Sequence, residues 1–315
     1  LLSTTVYSVI RGFFWGKKEF TAFSATETIE EILRILFSVV FISGAISGVY
    51  GAYAVALAFT ASDLVIAAIL FIMYFAKGGK LTKPAAIKKI LLPSLPVTAM
   101  RMFSSLIGTL IAFILPTRLL SFGMTAAEAT AAYGRISGMA NPLLLAPNAV
   151  IASLTIVLIP EMSANGAKKE YALLNRHLNN GVNFSFLVSG LFMVAYVALG
   201  KEITSFLYAD VQSGEYLQYA AYIMLPMCLS QLTQSALNSI GKEMTSFINY
   251  IVGNVGMIIL ICVLPKYIGI YSVAVATFFS LLTTSVLNVY SLKRNVNFSF
   301  GFLKYLVMVT LFIFP

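Results

Sequence analysis

Apolar runs of about twenty residues recur along the chain, parted by short polar stretches, and a run of that length carries a helix across a bilayer. The pattern predicts spanning segments near 1–15, 24–44, 52–75, 90–118, 130–158, 179–200, 216–239, 246–264, 269–291 and 302–315. One segment departs from it. In TETIEEILRILFSVVF (Thr26–Phe41) three glutamates and an arginine crowd the head, and the remainder runs on apolar. Ser24 to Glu27 fits a capping box, and acids suit the first turn of a helix, which predicts a helix start there. Glu30 and Arg34 stand at i, i+4 and can pair on one face. Arg34 lies about 15 Å beyond Ser24 at 1.5 Å per residue, too deep for easy snorkelling. Two readings of it stay open: a permanent structural ion pair, or a cation facing a cavity.

Composition agrees with the spans. Hydrophobic residues make up 59% and charged residues 10%, with a mean hydropathy of +0.89; ordinary globular chains carry about 25% charge. The expected class is an all-α polytopic membrane protein. The net charge of +9 does not call for nucleic acid, because it concentrates in alternate loops, at Lys17 and Lys18, Lys77 to Lys89, Lys168 to Arg176, Lys242, and Lys293 and Arg294. Those loops are assigned to the cytoplasmic side. Cys228 and Cys262 sit in apolar stretches and are expected to pack, and the single His177, in a polar loop, lacks companions for a metal site. No catalytic set of side chains is visible, so the chain is expected not to be an enzyme and to have no catalytic residues, metal or cofactor.

Two short matches indicate an internal repeat. GKKEFTAF (Gly16–Phe23) resembles GKEMTSF (Gly241–Phe247), and GAYAVALA (Gly51–Ala58) resembles GIYSVAVA (Gly269–Ala276), at offsets of 224 and 218. Six predicted spans separate equivalent points, which implies parallel repeats and two pseudo-symmetric six-helix lobes. On this arithmetic residues 1–75 are the last three helices of a first lobe, incomplete in this chain by about 130 residues upstream. Residues 76–90 form a basic inter-lobe linker at the cytoplasmic face, 91–292 the second lobe, and 293–315 the start of an extra helix.

The elements ILPTRL, AYGRISGMANPLLLAP and LIPEMS within 91–163, together with RGFFWG and IEEILR earlier, resemble the stage V sporulation protein B-like family of the multidrug/oligosaccharidyl-lipid/polysaccharide exporter superfamily. The resemblance implies a flippase of the bacterial cytoplasmic membrane. It would carry an undecaprenyl-pyrophosphate-linked saccharide, a cell-wall or polysaccharide precursor, to the outer leaflet by rocking of two lobes. A monomer in the phospholipid bilayer is expected. The alternative within the superfamily is a drug or cation antiporter coupled to H⁺ or Na⁺.

Ionisable groups deep in a membrane are costly, about 2.5–3.5 kcal/mol each on insertion scales, and usually face a partner or a cavity. Arg34, Arg101 and Arg135 form the candidate cation set, since the planar guanidinium fork suits phosphate oxygens. Pro93 and Pro96 are expected to loosen the helix before Arg101, and Arg135 to snorkel from an outer end. NPLLLAPN (Asn141–Asn148) is expected to break its helix in mid-membrane. Glu30 and Asp63 are the candidate coupling or paired acids. Asp63 has no basic residue within a turn, and a partner from helices upstream is one reading of it. Asn141, Gln234 and Asn254 are candidate polar contacts for sugar hydroxyls, and Asn254 is the repeat counterpart of Glu30. Asn249, Asn288 and similar amides have helix–helix hydrogen bonding as their commoner role.

Overall fold

The computed structural model describes residues 2–17, 19–44, 51–79, 87–296 and 298, and these are helical with short turns and contain no strand. The order is α1 (Leu2–Gly16), α2 (Phe20–Gly44), α3 (Gly51–Ala76), α4 (Ile87–Ser121), α5 (Ala126–Gly134), a π-helical turn (Arg135–Ala140), α6 (Asn141–Ala167), α7 (Tyr171–Tyr208) and α8 (Val211–Ala220). After a 3₁₀ turn come α9 (Met224–Ser239), α10 (Glu243–Val263), the short α11 (Pro265–Ile268), a second 3₁₀ turn and α12 (Ser272–Val296). Among the described residues six helices are long and apolar enough to cross a membrane, over 53–76, 94–121, 126–167, 171–208, 243–263 and 265–296. The segment expected at 302–315 lies outside the described residues, as do residues 80–86 of the 76–90 linker, whose last four residues open α4.

The chain divides into two compact units, Leu1–Ala85 and Ala86–Pro315. In the first, α1, α2 and α3 pack pairwise. Ile10 and Phe14 of α1 close against Ile66 and Leu70 of α3, and Lys77 at the end of α3 pairs with Glu19 in the α1–α2 turn. In the second unit α9, α10 and α12 also pack pairwise, so the two triplets that the repeat aligns share one packing scheme.

Two helix boundaries differ from expectation. The α2 helix begins at Phe20, so Ser24 is inside it and accepts a hydrogen bond from the Thr28 hydroxyl at 3.0 Å. Glu27 is therefore no helix-start residue. A capping box does occur at Thr125–Glu128, where the Thr125 side chain accepts from the Glu128 N–H and the Glu128 carboxylate accepts from the Thr125 N–H at 2.9 Å. The same T-x-x-E spacing announces it in the sequence. His177 is likewise on α7 rather than in a loop, with Nδ1 3.6 Å from Glu161.

The second unit is knit by small and polar residues, as expected where lipid removes the hydrophobic drive between helices. Asn249 of α10 donates to Asn288 of α12 at 2.9 Å, and Asn288 donates to the Thr233 hydroxyl of α9 at 3.3 Å, all three being buried. Gly253 lets α10 approach α12 so closely that a Cβ there would lie 2.6 Å from the Ser280 carbonyl oxygen. Gly253→Ala is expected to lose about 1–3 kcal/mol through forced separation of the two helices, read as a lower melting temperature in detergent. At Gly108 an added carbon meets nothing within 4 Å, and Gly108→Ala is expected to leave that temperature unchanged or raise it.

Candidate functional site

Arg34 is the centre of an ion-pair cluster in the first unit. Its Nη2 donates to Glu30 Oε1 at 2.5 Å and to Asp63 Oδ1 of α3 at 3.5 Å, while Nη1 donates to Glu31 Oε1 at 2.8 Å. The guanidinium carbon lies 4.8 Å from the centroid of the Phe59 ring, also on α3. Glu30 divides its carboxylate: Oε1 serves Arg34, and Oε2 accepts from Arg11 Nη2 of α1 at 3.3 Å. Arg11 Nη1 reaches Glu27 at 3.4 Å. The buried Glu30, 7% exposed, thus ties α2 to α1 through Arg11, and its partner Arg34 ties α2 to α3 through Asp63. Sharing by two cations satisfies both oxygens and offsets the desolvation that makes a buried carboxylate costly.

Two guanidinium groups here meet four carboxylates, those of Glu27, Glu30, Glu31 and Asp63. The pairing of Glu30 with Arg34 is the one the i, i+4 spacing predicts. Asp63 has a partner in Arg34, 29 residues away on the neighbouring helix, where its own helix offers no basic residue within a turn and one reading looks to helices upstream. Arg11 was missed altogether. Its signal was an arginine inside an apolar run, five residues before the polar Gly16–Glu19 turn. None of this charge repeats: Glu30, Arg34 and Asp63 correspond to Asn254, Ile258 and Leu281 in the second unit. Asn254 donates back to the Tyr250 carbonyl of its own helix at 2.8 Å.

An open groove of about 580 Å³ runs along α2 beside this cluster. Glu31, Arg34 and Ser38 supply its polar side, and Ile35, Val39 and Phe59 its apolar walls. The polar stripe of α2 therefore faces this groove. Glu31 is 65% exposed and Arg34 22%. Such a surface offers charge to a polar head and hydrocarbon to an apolar tail.

The other two candidate arginines are in the second unit and have different settings. Arg101 is exposed on α4 and makes no ion pair among the described residues. The α4 helix runs unbroken past Pro93 and Pro96, although each withholds the N–H that the carbonyl four residues back would accept. Arg135 does not simply snorkel: its Nε donates to Asp210 Oδ2 at 2.8 Å, across 75 residues. Asp210 also caps α8 by accepting from the Ser213 N–H at 3.0 Å. Partial burial works against its charged form, but the hydrogen bond from Arg135, the Ser213 N–H and the guanidinium charge together hold its carboxyl below the usual carboxylate range.

The prolines of the Asn141–Asn148 stretch do not break the helix. Helical backbone continues from Ala126 to Ala167, and the register change is taken up by the π-helical turn that starts at Arg135 and ends just before Asn141. Pro147 lacks the N–H that the Leu143 carbonyl would accept. The Tyr196 hydroxyl of α7 donates to that carbonyl instead, at 2.8 Å. Tyr196→Phe is expected to strand a buried acceptor and lose about 1–3 kcal/mol. Pro147→Ala returns the backbone donor, so on that background Tyr196→Phe is expected to be nearly silent in thermal melts. Of the candidate amides, Asn141 is exposed, Gln234 is half-buried, and neither makes a side-chain hydrogen bond among the described residues.

The family model described as "Polysaccharide biosynthesis protein" matches residues 1–166. Stage V sporulation protein B of Bacillus subtilis (strain 168) is 22% identical over 95% of this chain, and the chain spans 61% of that relative's length. Among solved structures, MATE in the straight conformation superposes with a TM-score of 0.75 at 14% identity, over 98% of this chain and 67% of that one. A MOP superfamily transporter from Pyrococcus furiosus, described by the reverse polarity of its binding pocket, gives 0.73 at 15% over the same shares. At these identities the structural likeness establishes the fold alone, which is that of the MATE structures, a polytopic helical architecture.

Proposed function

The chain belongs to the family of polysaccharide biosynthesis proteins, and from that premise we propose that it works as a flippase. In this reading a lipid-linked saccharide of the undecaprenyl-pyrophosphate type is moved across the cytoplasmic membrane by alternating access of two lobes. The observation that carries it is the groove beside Arg34, with a charged stripe on one side and hydrocarbon walls on the other. That division matches a substrate whose head is anionic and hydroxylated and whose tail is a polyprenyl chain. Arg101, exposed and without an ion pair among the described residues, is the cation best able to meet phosphate without displacing a carboxylate.

The test is reconstitution of the full-length protein in proteoliposomes holding a fluorescent undecaprenyl-pyrophosphate disaccharide, with a membrane-impermeant quencher outside. Time-dependent loss of the protected fraction is expected. A protected fraction as stable as in protein-free vesicles, under every ion gradient applied, overturns the reading.

The four carboxylates around two guanidinium groups favour a second reading, exchange of a cationic substrate for H⁺ or Na⁺. A pH or Na⁺ gradient that drives uptake of a lipophilic cation dye, abolished by Asp63→Asn, would select it over the first.

A further inference from the structure

The three acids on Arg34 are not equivalent. Glu30 is 7% exposed and shared with Arg11, so its departure would leave a buried carboxylate short of a partner. Asp63, at 19% exposure, shares Nη2 with Glu30 from a separate helix. Glu31 is the most exposed of the three, holds Nη1 alone, and lines the groove together with Arg34.

We propose that Glu31 is a displaceable placeholder: its carboxylate occupies Nη1 of Arg34 when the groove is empty, and a pyrophosphate group takes that position on binding. The substitution is cheap for three reasons. An exposed ion pair contributes little to stability. Glu31 sits at i−3 from Arg34, so its side chain leaves by rotation about its own bonds while α2 stays in place. The remaining charge balance is undisturbed, because Glu30 and Asp63 keep Nη2. The released Nη1 then offers two N–H donors to phosphate oxygens, and a pyrophosphate brings more acceptor oxygens and a larger total charge to the guanidinium than one carboxylate does. Glu31 therefore competes with the anion and, once displaced, repels it. It sets affinity low enough for release on the far side, and it rejects weaker anions that cannot outcompete a tethered carboxylate. The identity of the substrate rests on the flippase reading above, whereas the competition itself is measurable without transport.

The test titrates inorganic pyrophosphate into the detergent-solubilised full-length protein and, in a second arm, uses nanodiscs carrying undecaprenyl pyrophosphate. Glu31→Gln and Glu31→Ala are expected to bind pyrophosphate at least about tenfold more tightly than the parent, and Arg34→Ala to lose binding. The same ranking in both arms identifies the anion as a lipid headgroup. Tightening confined to the soluble arm overturns that source and leaves a free anion as the ligand. Equal affinity in the parent and both Glu31 variants overturns the placeholder role even when the parent flips lipid. Tighter binding in a protein that moves no lipid keeps the placeholder and overturns the flippase.

Discussion

Arg34→Ala is expected to abolish lipid transfer and to lower the stability of the first unit by about 3–5 kcal/mol, the scale for breaking a buried ion pair from one side. The substitution takes one guanidinium away from three carboxylates at once. Glu30 keeps Arg11 on its second oxygen, but its first oxygen loses its guanidinium in a side chain only 7% exposed. The Phe59 ring also loses the cation packed over it. Two losses, of fold and of transport, would be confounded in the single variant. The double substitution Arg34→Met with Glu30→Gln separates them, since it removes the most deeply buried of the stranded charges, while Arg11 keeps Glu27. Recovery of the melting temperature with no recovery of transport identifies Arg34 as a substrate cation. Recovery of both leaves it a structural tie between α2 and its neighbours.

At Arg101 the expected result is the opposite split. Arg101→Ala is expected to leave the melting temperature within about 0.5 kcal/mol of the parent, as exposed positions without specific partners usually do. Lipid transfer is expected to fall at least about tenfold, since hydrogen bonds to charged groups contribute about 1.5–3 kcal/mol. Arg101→Lys keeps the charge and loses the planar fork, so it is expected to recover part of the rate. Full activity of Arg101→Ala in the quenching assay would remove this residue from the substrate path.

The i, i+4 spacing made the Glu30–Arg34 pair legible, since both partners are on one helix. Asp63 and Arg11 were not legible as members of the same cluster. Their distances to the pair depend on how α1 and α3 are rotated about their own axes, and an almost uniformly apolar helix carries little periodic signal for that rotation. For the same reason the link from Arg135 to Asp210 escaped notice: 75 residues separate them, and only the packing of α8 against the π-helical turn brings them together. The proline reading erred differently. Pro147 does remove a backbone donor, as its ring requires, but a tyrosine from another helix supplies the replacement.

The sequence by itself determined the membrane class and the all-helical fold, pointed to a repeat between α1–α3 and α9–α12, and made the Glu30–Arg34 pair visible. Each follows from local physics: the length of an apolar run, the cost of an isolated charge, the pairing of similar segments. The tertiary structure decided which charges meet, that Glu30 is shared by two arginines, and that Glu31, one residue further along, faces an open groove. Neighbouring residues on a helix point about 100° apart, so one step in sequence separates a buried tie from an exposed competitor. That difference becomes visible only when the adjacent helices are in place.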